Sequence, residues 1–389
     1  MIPAIVLSSH TAGLGVIRAL GAMGVPIVSI YYDKSDMGYV SKYVRERVRA
    51  PHPEEHEAEF IDLLVDCVQR TGNALVIASD DATLSVVSRH KEKLKAHCIV
   101  ACTGWDIAEK FIDKQHTYSL AEQHGIPCPW TYLPKTVGDL EDFAATVTYP
   151  CLVKPSKSHQ YFRQFQKKLT RVENAGELHA AFREANEAGM MVMLQEYIPG
   201  DDGNGVNYNS YHWDGRPLVE FTARKVRLSP PEFGVPSAVE SMNVPEIIGP
   251  GRKILEVLGY SGYSCTEFKK DPRDNVYKLL EVNGRHNRST LLSVACGINF
   301  PWLEYRHLVY GELPEQRPFQ EGFCWIDDVK DLSHLFLSGR KGVRYFRDHF
   351  SGSHQGRVYS VLDRHDLLPI CKRVIDLVNR TLKGNPFSH

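Results

Sequence analysis

Short apolar runs alternate with longer amphipathic stretches through the first hundred residues of the chain. The apolar runs, rich in β-branched residues, predict strands at residues 4–9, 27–31, 74–79 and 98–102. The stretches with helical spacing of apolar residues predict helices at residues 14–23, 54–69 and 82–94. Strands that alternate with helices form a parallel sheet covered on both faces, so an α/β domain is expected here.

The pattern changes after a predicted helix at residues 106–124, which ends at a glycine and leads into a Pro-rich crossing at residues 126–130. A second α/β unit follows, and then alternating residues that predict hairpins. The predicted strands are at residues 151–154, 191–196, 205–213, 217–226, 263–270 and 276–283, and the helices at 174–188 and 247–258. Prolines between residues 314 and 318 predict a linker into a smaller C-terminal part.

Two polar turns follow predicted strands of the first domain. The turn at residues 8–15 contains two glycines and opens a helix, but Arg18 stands where a dinucleotide fingerprint has its third glycine. An ordinary strand-to-helix turn is therefore favoured. Asp80 and Asp81 follow the third strand at the edge where α/β proteins bind ligands, and a helix N-cap accounts for one of them.

Composition excludes several classes of protein. The 389 residues carry a formal net charge of -1, so no overall basic field would attract nucleic acid or an anionic membrane. No apolar run reaches the ~18 to 20 residues that span a bilayer. The first arginine is Arg18 and no cationic region precedes the first strand, so we expect a cytoplasmic protein. Its nine cysteines contain no CxxC pair and are expected to be reduced core thiols.

The strongest chemical signal is a set of three oxygen-bearing side chains on two neighbouring predicted strands. Glu281 and Asn283 are two residues apart and therefore share one face of their strand. A hairpin would bring Glu267 opposite them. Carboxylate and amide oxygens suit Mg²⁺, which commonly shares its ligands with nucleotide phosphates. A merely polar sheet surface is the alternative, and the apolar neighbours of these residues argue against it.

These residues belong to a series of motifs that resembles the ATP-grasp superfamily. The motifs are Lys114, LVKP at 152–155, QEYIPG at 195–200, Glu267 with Phe268, and LEVNGR at 280–285. Residues 295–311 resemble the carboxylate-amine ligases similar to D-aspartate ligase. The likeness covers nearly the whole chain. It implies an α/β protein with a Rossmann-like pre-ATP-grasp domain at 1–105, a two-lobed α+β ATP-grasp domain at 106–312 and a C-terminal extension at 313–389.

The resemblance also implies roles for individual residues. ATP phosphates would be held by Lys114 and Lys154, while Lys225 and Arg227 would reach the γ-phosphate or the acid substrate. The adenine edge would be bound by Glu196 and Ile198 with Tyr197 beside it, and the ribose by Asp202 or Asp201. Glu267, Glu281 and Asn283 would hold Mg²⁺, with Mn²⁺ as an alternative. The catalytic residues would be Arg285, Lys154 and Arg288.

Two departures from the family pattern affect the substrate site. The loop at residues 156–168 lacks the glycines that many relatives use to cover phosphates, and Gly284 replaces the usual proline after the metal asparagine.

The expected activity is amide formation through an acyl phosphate, with ADP as product. The expected partners are a small carboxylic acid, an amino acid above all, and an amine; a homodimer is compatible with this. The alternatives are a carboxylase that uses bicarbonate, a non-catalytic nucleotide-binding protein and a nicotinamide oxidoreductase.

Overall fold

The structure of the protein is a computed structural model. It describes residues 1–134, 136–155, 164, 165, 167, 169–331 and 355–382. The strands are β1 Ala4–Leu7, β2 Ile27–Tyr31, β3 Val44–Arg49, β4 Leu75–Ala78, β5 Ile99–Val100, β6 Thr131–Tyr132, β7 Cys151–Pro155, β8 Thr170–Val172, β9 Val192–Glu196, β10 Gly205–Trp213, β11 Arg216–Ser229, β12 Val235–Ser241, β13 Gly262–Lys270, β14 Tyr277–Asn283, β15 Phe323–Ile326 and β16 Gly356–Tyr359. The helices are α1 Thr11–Gly21, α2 Glu57–Thr71, α3 Asp81–Arg89, α4 Lys91–Lys95, α5 Trp105–Ile112, α6 Lys114–Gln123, α7 Val137–Thr146, α8 Ala175–Glu187, α9 Ile248–Leu258, α10 Thr290–Ala295, α11 Phe300–Tyr310 and α12 Leu368–Leu382.

The N-terminal strands form a five-stranded parallel sheet in the order β3-β2-β1-β4-β5. All residues of β1 and β4 are buried, because helices cover both faces of the sheet. The predicted α/β domain is therefore confirmed. The sequence pattern missed β3, whose residues alternate between half-buried and exposed at the edge of the sheet.

The first strand passes directly into helix α1, which begins three residues earlier than predicted. The His10 ring caps the helix by accepting a hydrogen bond from the Ala12 amide. Gly13 lies in the first turn, where a Cβ atom would stand 2.2 Å from the Ser8 carbonyl oxygen. This glycine is therefore required by the close approach of strand and helix.

The helix predicted at residues 106–124 is wrong as a single element, because it is divided into α5 and α6. Asp113 between them has extended backbone angles, and its side chain accepts from the Gln115 amide as an N-cap. An aspartate that caps a new helix competes with continuation of the old one. The helix predicted at 82–94 is likewise two helices, separated at His90.

Two further sheets follow in the chain. The four-stranded sheet is antiparallel, has the order β6-β9-β7-β8, and packs against helices α7 and α8. The seven-stranded sheet has the order β14-β13-β10-β11-β12-β15-β16 and is antiparallel except between its last two strands. One hydrophobic core continues from Leu7 of the first sheet to Val206 and Phe268 of the seven-stranded sheet. These two sheets are therefore packed as one body.

The C-terminal part contributes β15 and β16 to the seven-stranded sheet and places α12 against the N-terminal domain. Arg18 is buried there and binds the buried Asp366 with Nε to Oδ2 at 3.0 Å. The domain boundaries at residues 105 and 312 stay predictions. Within the described residues, no helix has the length and apolar character needed to cross a membrane. The nine cysteines are unpaired, and Cys67, Cys98, Cys151 and Cys265 are buried as expected.

Candidate active site

A cavity of about 400 Å³ lies between the carboxyl ends of β1 and β4 and the face of the seven-stranded sheet. His10 follows β1, Asp80 and Asp81 follow β4, and all three line it. It also brings together ten of the residues singled out in the sequence. These are Lys114, Lys154, Asp201, Asp202, Lys225, Glu267, Glu281, Asn283, Arg285 and Arg288.

The three proposed metal ligands lie side by side, as the period of two predicts. Strands β13 and β14 pair with Glu267 directly opposite Glu281, so the predicted hairpin is confirmed. Asn283 lies two residues further along β14, and its Nδ2 is 3.5 Å from Glu267 Oε1. The donor set therefore offers carboxylate and amide oxygens on one face, which fits a hard divalent cation.

Each of the two glutamates is paired with a lysine. Lys114 Nζ lies 3.1 Å from Glu281 Oε2, and Lys225 forms an ion pair with Glu267. Burial opposes ionisation of Glu281, but the charges of Lys114 and Lys154 outweigh it and lower the pKa of this carboxyl. Burial would lower the pKa of Lys225, and Glu267 more than compensates, so the pKa is raised. Glu281 and Lys225 are therefore charged at neutral pH.

Lys154 is held differently, by neutral groups. Its Nζ donates to the Tyr118 hydroxyl at 2.9 Å and to Gln195 Oε1 at 3.2 Å. Burial lowers the pKa of Lys154, although Glu281 and Glu267 partly oppose the shift. Among the described residues no carboxylate contacts this ammonium group, so it is well prepared to receive an anionic ligand.

Arg285 is aimed by a carboxylate from the N-terminal domain. Its Nε and Nη2 donate to the two oxygens of Asp81 at 2.6 and 3.0 Å, and Nη2 also donates to Asn283 Oδ1 at 3.1 Å. Burial acts to raise the pKa of Asp81, but Arg285 outweighs it and the pKa is lowered. One of the two aspartates is predicted to be an N-cap, and it is Asp80, which caps α3 by accepting from the Thr83 amide at 2.8 Å. Asp81 thus orients Arg285, whereas Asp80 caps helix α3.

The predicted nucleotide-binding crossing is only partly in the cavity lining, which does not include Glu196, Tyr197 or Ile198. The Glu196 carboxylate pairs instead with Arg273 and Lys278. The Ile198 carbonyl accepts from Lys269 Nζ at 2.9 Å, and the Tyr197 hydroxyl donates to Glu232. Tyr197 and Ile198 thus contact the lining residues Glu232 and Lys269, and adenine binding by the three residues stays a prediction.

The two aspartates proposed for the ribose differ in their partners. The Asp202 carboxylate accepts from the backbone amides of Leu228 and Glu232, at 2.8 and 3.0 Å. It therefore holds the loop that contains Pro230 and Pro231. Asp201 lines the cavity as well. Asp202 therefore has a structural task already, and Asp201 becomes the first choice for the ribose.

Arg227 lies outside the cavity lining. A register shift interrupts β11 between Lys225 and Arg227, so the two side chains no longer share a face. Arg227 binds both oxygens of Asp331, at 2.8 and 2.9 Å. The proposed loop at 156–168 falls mostly outside the described residues.

Sequence reasoning missed several residues of the cavity. The His10 ring is one, and burial lowers its pKa to about 4, so it is neutral at physiological pH. Tyr32 does not line the cavity, but its hydroxyl donates to the lining residue Asp80 at 2.5 Å. Lys269 and Asn287 line the cavity too. The position of Lys269 on β13, two residues after Glu267, was the signal that could have found it.

The described residues hold no cluster of three His, Cys, Asp or Glu side chains able to bind a metal. The set at β13 and β14 has only two side chains of these types, Glu267 and Glu281, because its third member, Asn283, is an amide. Its two carboxylates face the ammonium groups of Lys114 and Lys225, and the Asn283 amide oxygen faces the Arg285 guanidinium. Positive charge is thus already stabilised at this place, which supports the fit to Mg²⁺.

Comparison with known structures shows that the chain has the ATP-grasp fold. It superposes on biotin carboxylase from Campylobacter jejuni with a TM-score of 0.65 and 15% identity, covering 83% of this chain and 74% of that one. The L-amino acid ligase from Bacillus licheniformis gives 0.63 and 18%, covering 82% and 78%. The predicted fold class is confirmed.

At the level of sequence, the chain is similar to D-aspartate ligase from Enterococcus faecium (strain Aus0004). The two are 28% identical over 243 residues, which is 58% of this chain and 56% of the relative. The chain thus matches little more than half the length of this curated relative. No family model matches the chain. The predicted resemblance to ATP-grasp carboxylate-amine ligases is confirmed.

Proposed function

We propose that the protein is an ATP-dependent carboxylate-amine ligase that forms an amide or peptide bond and releases ADP and phosphate. The observation that supports this most is the content of the cavity. Lysine and arginine cations for phosphates lie there beside the oxygens of Glu267, Glu281 and Asn283. The similarity to D-aspartate ligase favours ligation over the other reactions found on this fold.

In this proposal Lys114, Lys154 and Lys225 bind the phosphates of ATP, and Asp201 binds the ribose. Glu267, Glu281 and Asn283 hold Mg²⁺, or Mn²⁺ in its place. The cation would supply neutralisation of phosphate charge. Lys114 and Lys225, which pair with Glu281 and Glu267, would turn to the phosphates when ATP binds.

A carboxylate is a poor electrophile because its leaving group would be oxide. Transfer of the γ-phosphoryl group to a carboxylate oxygen gives an acyl phosphate and ADP, and attack by the amine then expels phosphate and forms the amide. Arg285 can stabilise the charge that develops on the transferred group, because Asp81 fixes its planar fork in advance. Asp80, Arg285 and Arg288 surround the place proposed for the acid, an amino acid or another small metabolite.

The test measures nucleotide and acyl products together. Amino acids are offered singly and in pairs with ATP and Mg²⁺, and hydroxylamine replaces the amine to trap a hydroxamate. We expect ADP and hydroxamate to appear together, and Arg285→Ala to slow both by roughly 100-fold, the effect of losing an aligned donor. Arg252→Ala is the matched control, because it removes an arginine that pairs with Glu220 away from the cavity.

The products also separate the alternatives. AMP with pyrophosphate would contradict the acyl phosphate route. ADP released in response to bicarbonate, without an amine, would favour the carboxylase that the biotin carboxylase fold allows. Protection by ATP against thermal unfolding with no ADP release for any acid would favour a nucleotide-binding protein without catalysis. Protection by NADH and not by ATP would contradict the whole assignment.

A further inference from the structure

The C-terminal segment, residues 355–382, is fixed both to the seven-stranded sheet and to the N-terminal domain, which together enclose the cavity. Its strand β16 pairs with β15 and extends the seven-stranded sheet. Its residue Asp366 accepts hydrogen bonds from Arg18 Nε at 3.0 Å and from Ser41 Oγ at 2.7 Å, both in the N-terminal domain. The segment therefore has a defined position relative to the substrate cavity.

Asp327, the residue after β15, connects this segment to the cavity. It is fully buried, and its carboxylate accepts from Arg288 Nη2 at 2.5 Å and from Arg373 Nη2 at 3.0 Å. Burial acts to raise the pKa of Asp327, but Arg373 and Arg288 outweigh it and lower the pKa to about 2. One ionised carboxylate thus serves two guanidinium groups, one from the cavity and one from α12.

Arg288 faces the cavity, and its side chain is 27% exposed. Within the part of the chain that the structure describes, its Nε is buried without a hydrogen-bond partner. The neighbouring carboxylate of Asp328 accepts from the backbone amides of Val361 and Leu362, so it does not neutralise this arginine by contact. Arg288 and Arg373 thus share the single negative charge of Asp327. The group of three keeps a net positive charge at the cavity wall.

We propose that the C-terminal segment belongs to the substrate site, where Arg373 and Asp327 are positioning residues for Arg288. Asp327 fixes the direction of the Arg288 guanidinium, and Arg373 takes part of the charge of Asp327, so Arg288 keeps its attraction for an anion. The anion is a carboxylate or phosphate group of the substrates, an assignment that rests on the ligase function proposed above. The segment would thus contribute to affinity for the acid without touching it.

The first test measures the order of the loop that carries Arg288, and it needs no substrate. Amide hydrogen exchange is followed by mass spectrometry in peptides covering residues 284–289, for the parent, Asp327→Asn and Arg373→Met. We expect exchange in these peptides to be at least tenfold faster in Asp327→Asn, and no faster in Arg373→Met, where Asp327 still fixes Arg288. The matched control is Lys372→Met, because Lys372 is the adjacent residue of α12 and pairs with Asp376, not with Asp327.

The second test follows hydroxamate formation with aspartate, glutamate and alanine as probes, each in both enantiomers. For the probe that the parent uses best, we expect Arg373→Met to raise KM at least tenfold and to change kcat less than threefold, because binding is weakened before the reaction begins. Arg373→Lys keeps the charge and is expected to restore part of the affinity. A merely structural loss would lower kcat as well as the affinity. It would also appear in the Lys372→Met control.

Each result decides the matter. Unchanged exchange at residues 284–289 in Asp327→Asn overturns the proposal, as does faster exchange there in Arg373→Met or an effect of Lys372→Met on KM equal to that of Arg373→Met. If Asp327→Asn does not fold, the exchange and the KM of Arg373→Met still decide the role of Arg373. A parent enzyme that forms no hydroxamate with any acid contradicts the ligase function, while hydrogen exchange still shows whether Asp327 orders the loop.

Discussion

Replacing Glu281 by Gln should abolish most nucleotide turnover and leave the fold almost intact. The side chain of Glu281 is 31% exposed, and its partner Lys114 lies 3.1 Å away. Glutamine keeps the size of the side chain and an oxygen that can accept from Lys114, so only the charge is lost. We therefore expect a cost of about 1 kcal/mol in the free energy of unfolding, typical of a weakened hydrogen bond, and not the roughly 3 to 5 kcal/mol of a broken buried pair.

The expected loss of activity is much larger than this. Removing the charge from a proposed cation ligand should slow ADP release by about 100-fold, which corresponds to about 2.7 kcal/mol of barrier. A protein with roughly 5 to 15 kcal/mol of stability stays folded after losing about 1 kcal/mol. The slow turnover could therefore not be explained by unfolding.

The assay is steady-state ADP release at saturating Mg²⁺ and ATP, with urea unfolding of the same samples. Glu220→Gln is the matched control, because Glu220 is a largely buried carboxylate of the same sheet that pairs with Arg252 outside the cavity. We expect the control to lose stability but to keep its turnover. Turnover by well-folded Glu281→Gln within about threefold of the parent, less than ~0.7 kcal/mol, would show that Glu281 is not a ligand of the catalytic cation.

Two further predictions concern the N-terminal domain. Gly13→Ala should lower the free energy of unfolding by about 1 to 3 kcal/mol, because its Cβ would stand 2.2 Å from the Ser8 carbonyl oxygen; Gly15→Ala, with its nearest contact at 3.4 Å, should not, and urea unfolding compares the two. Burial raises the pKa of Asp36 to about 7, so the stability that protonation provides is lost as pH rises through 7. Asp36→Asn should therefore stabilise the protein at pH 8 more than at pH 5 in thermal unfolding, and an equal shift at both pH values would contradict the argument.

The parts of the site that lie on one hairpin could be predicted from the sequence. Glu281 and Asn283 share a face because side chains alternate along a strand, and turn residues at 271–275 bring Glu267 opposite Glu281. These relations depend on neighbours in the chain. Local patterns carry such information completely.

Contacts between distant segments could not be predicted in the same way. The pairing of Arg285 with Asp81 joins residues 204 positions apart, and that of Arg288 with Asp327 depends on a strand added from the C-terminal part. The division of the helix at Asp113 was also missed, because the capping preference of one aspartate competes with an otherwise helical pattern. In each case the deciding partner or conformation is selected by packing.

The contact between Arg18 and Asp366 has a consequence for the order in which the protein folds. The two residues are separated by 348 positions, and both are buried. During synthesis the N-terminal sheet can form early. The Arg18 guanidinium on α1 cannot pair with Asp366, however, until the C-terminal segment has left the ribosome. Burying the Arg18 charge without a partner is unfavourable. Completion of the N-terminal domain therefore depends on the C-terminal segment that carries Asp366.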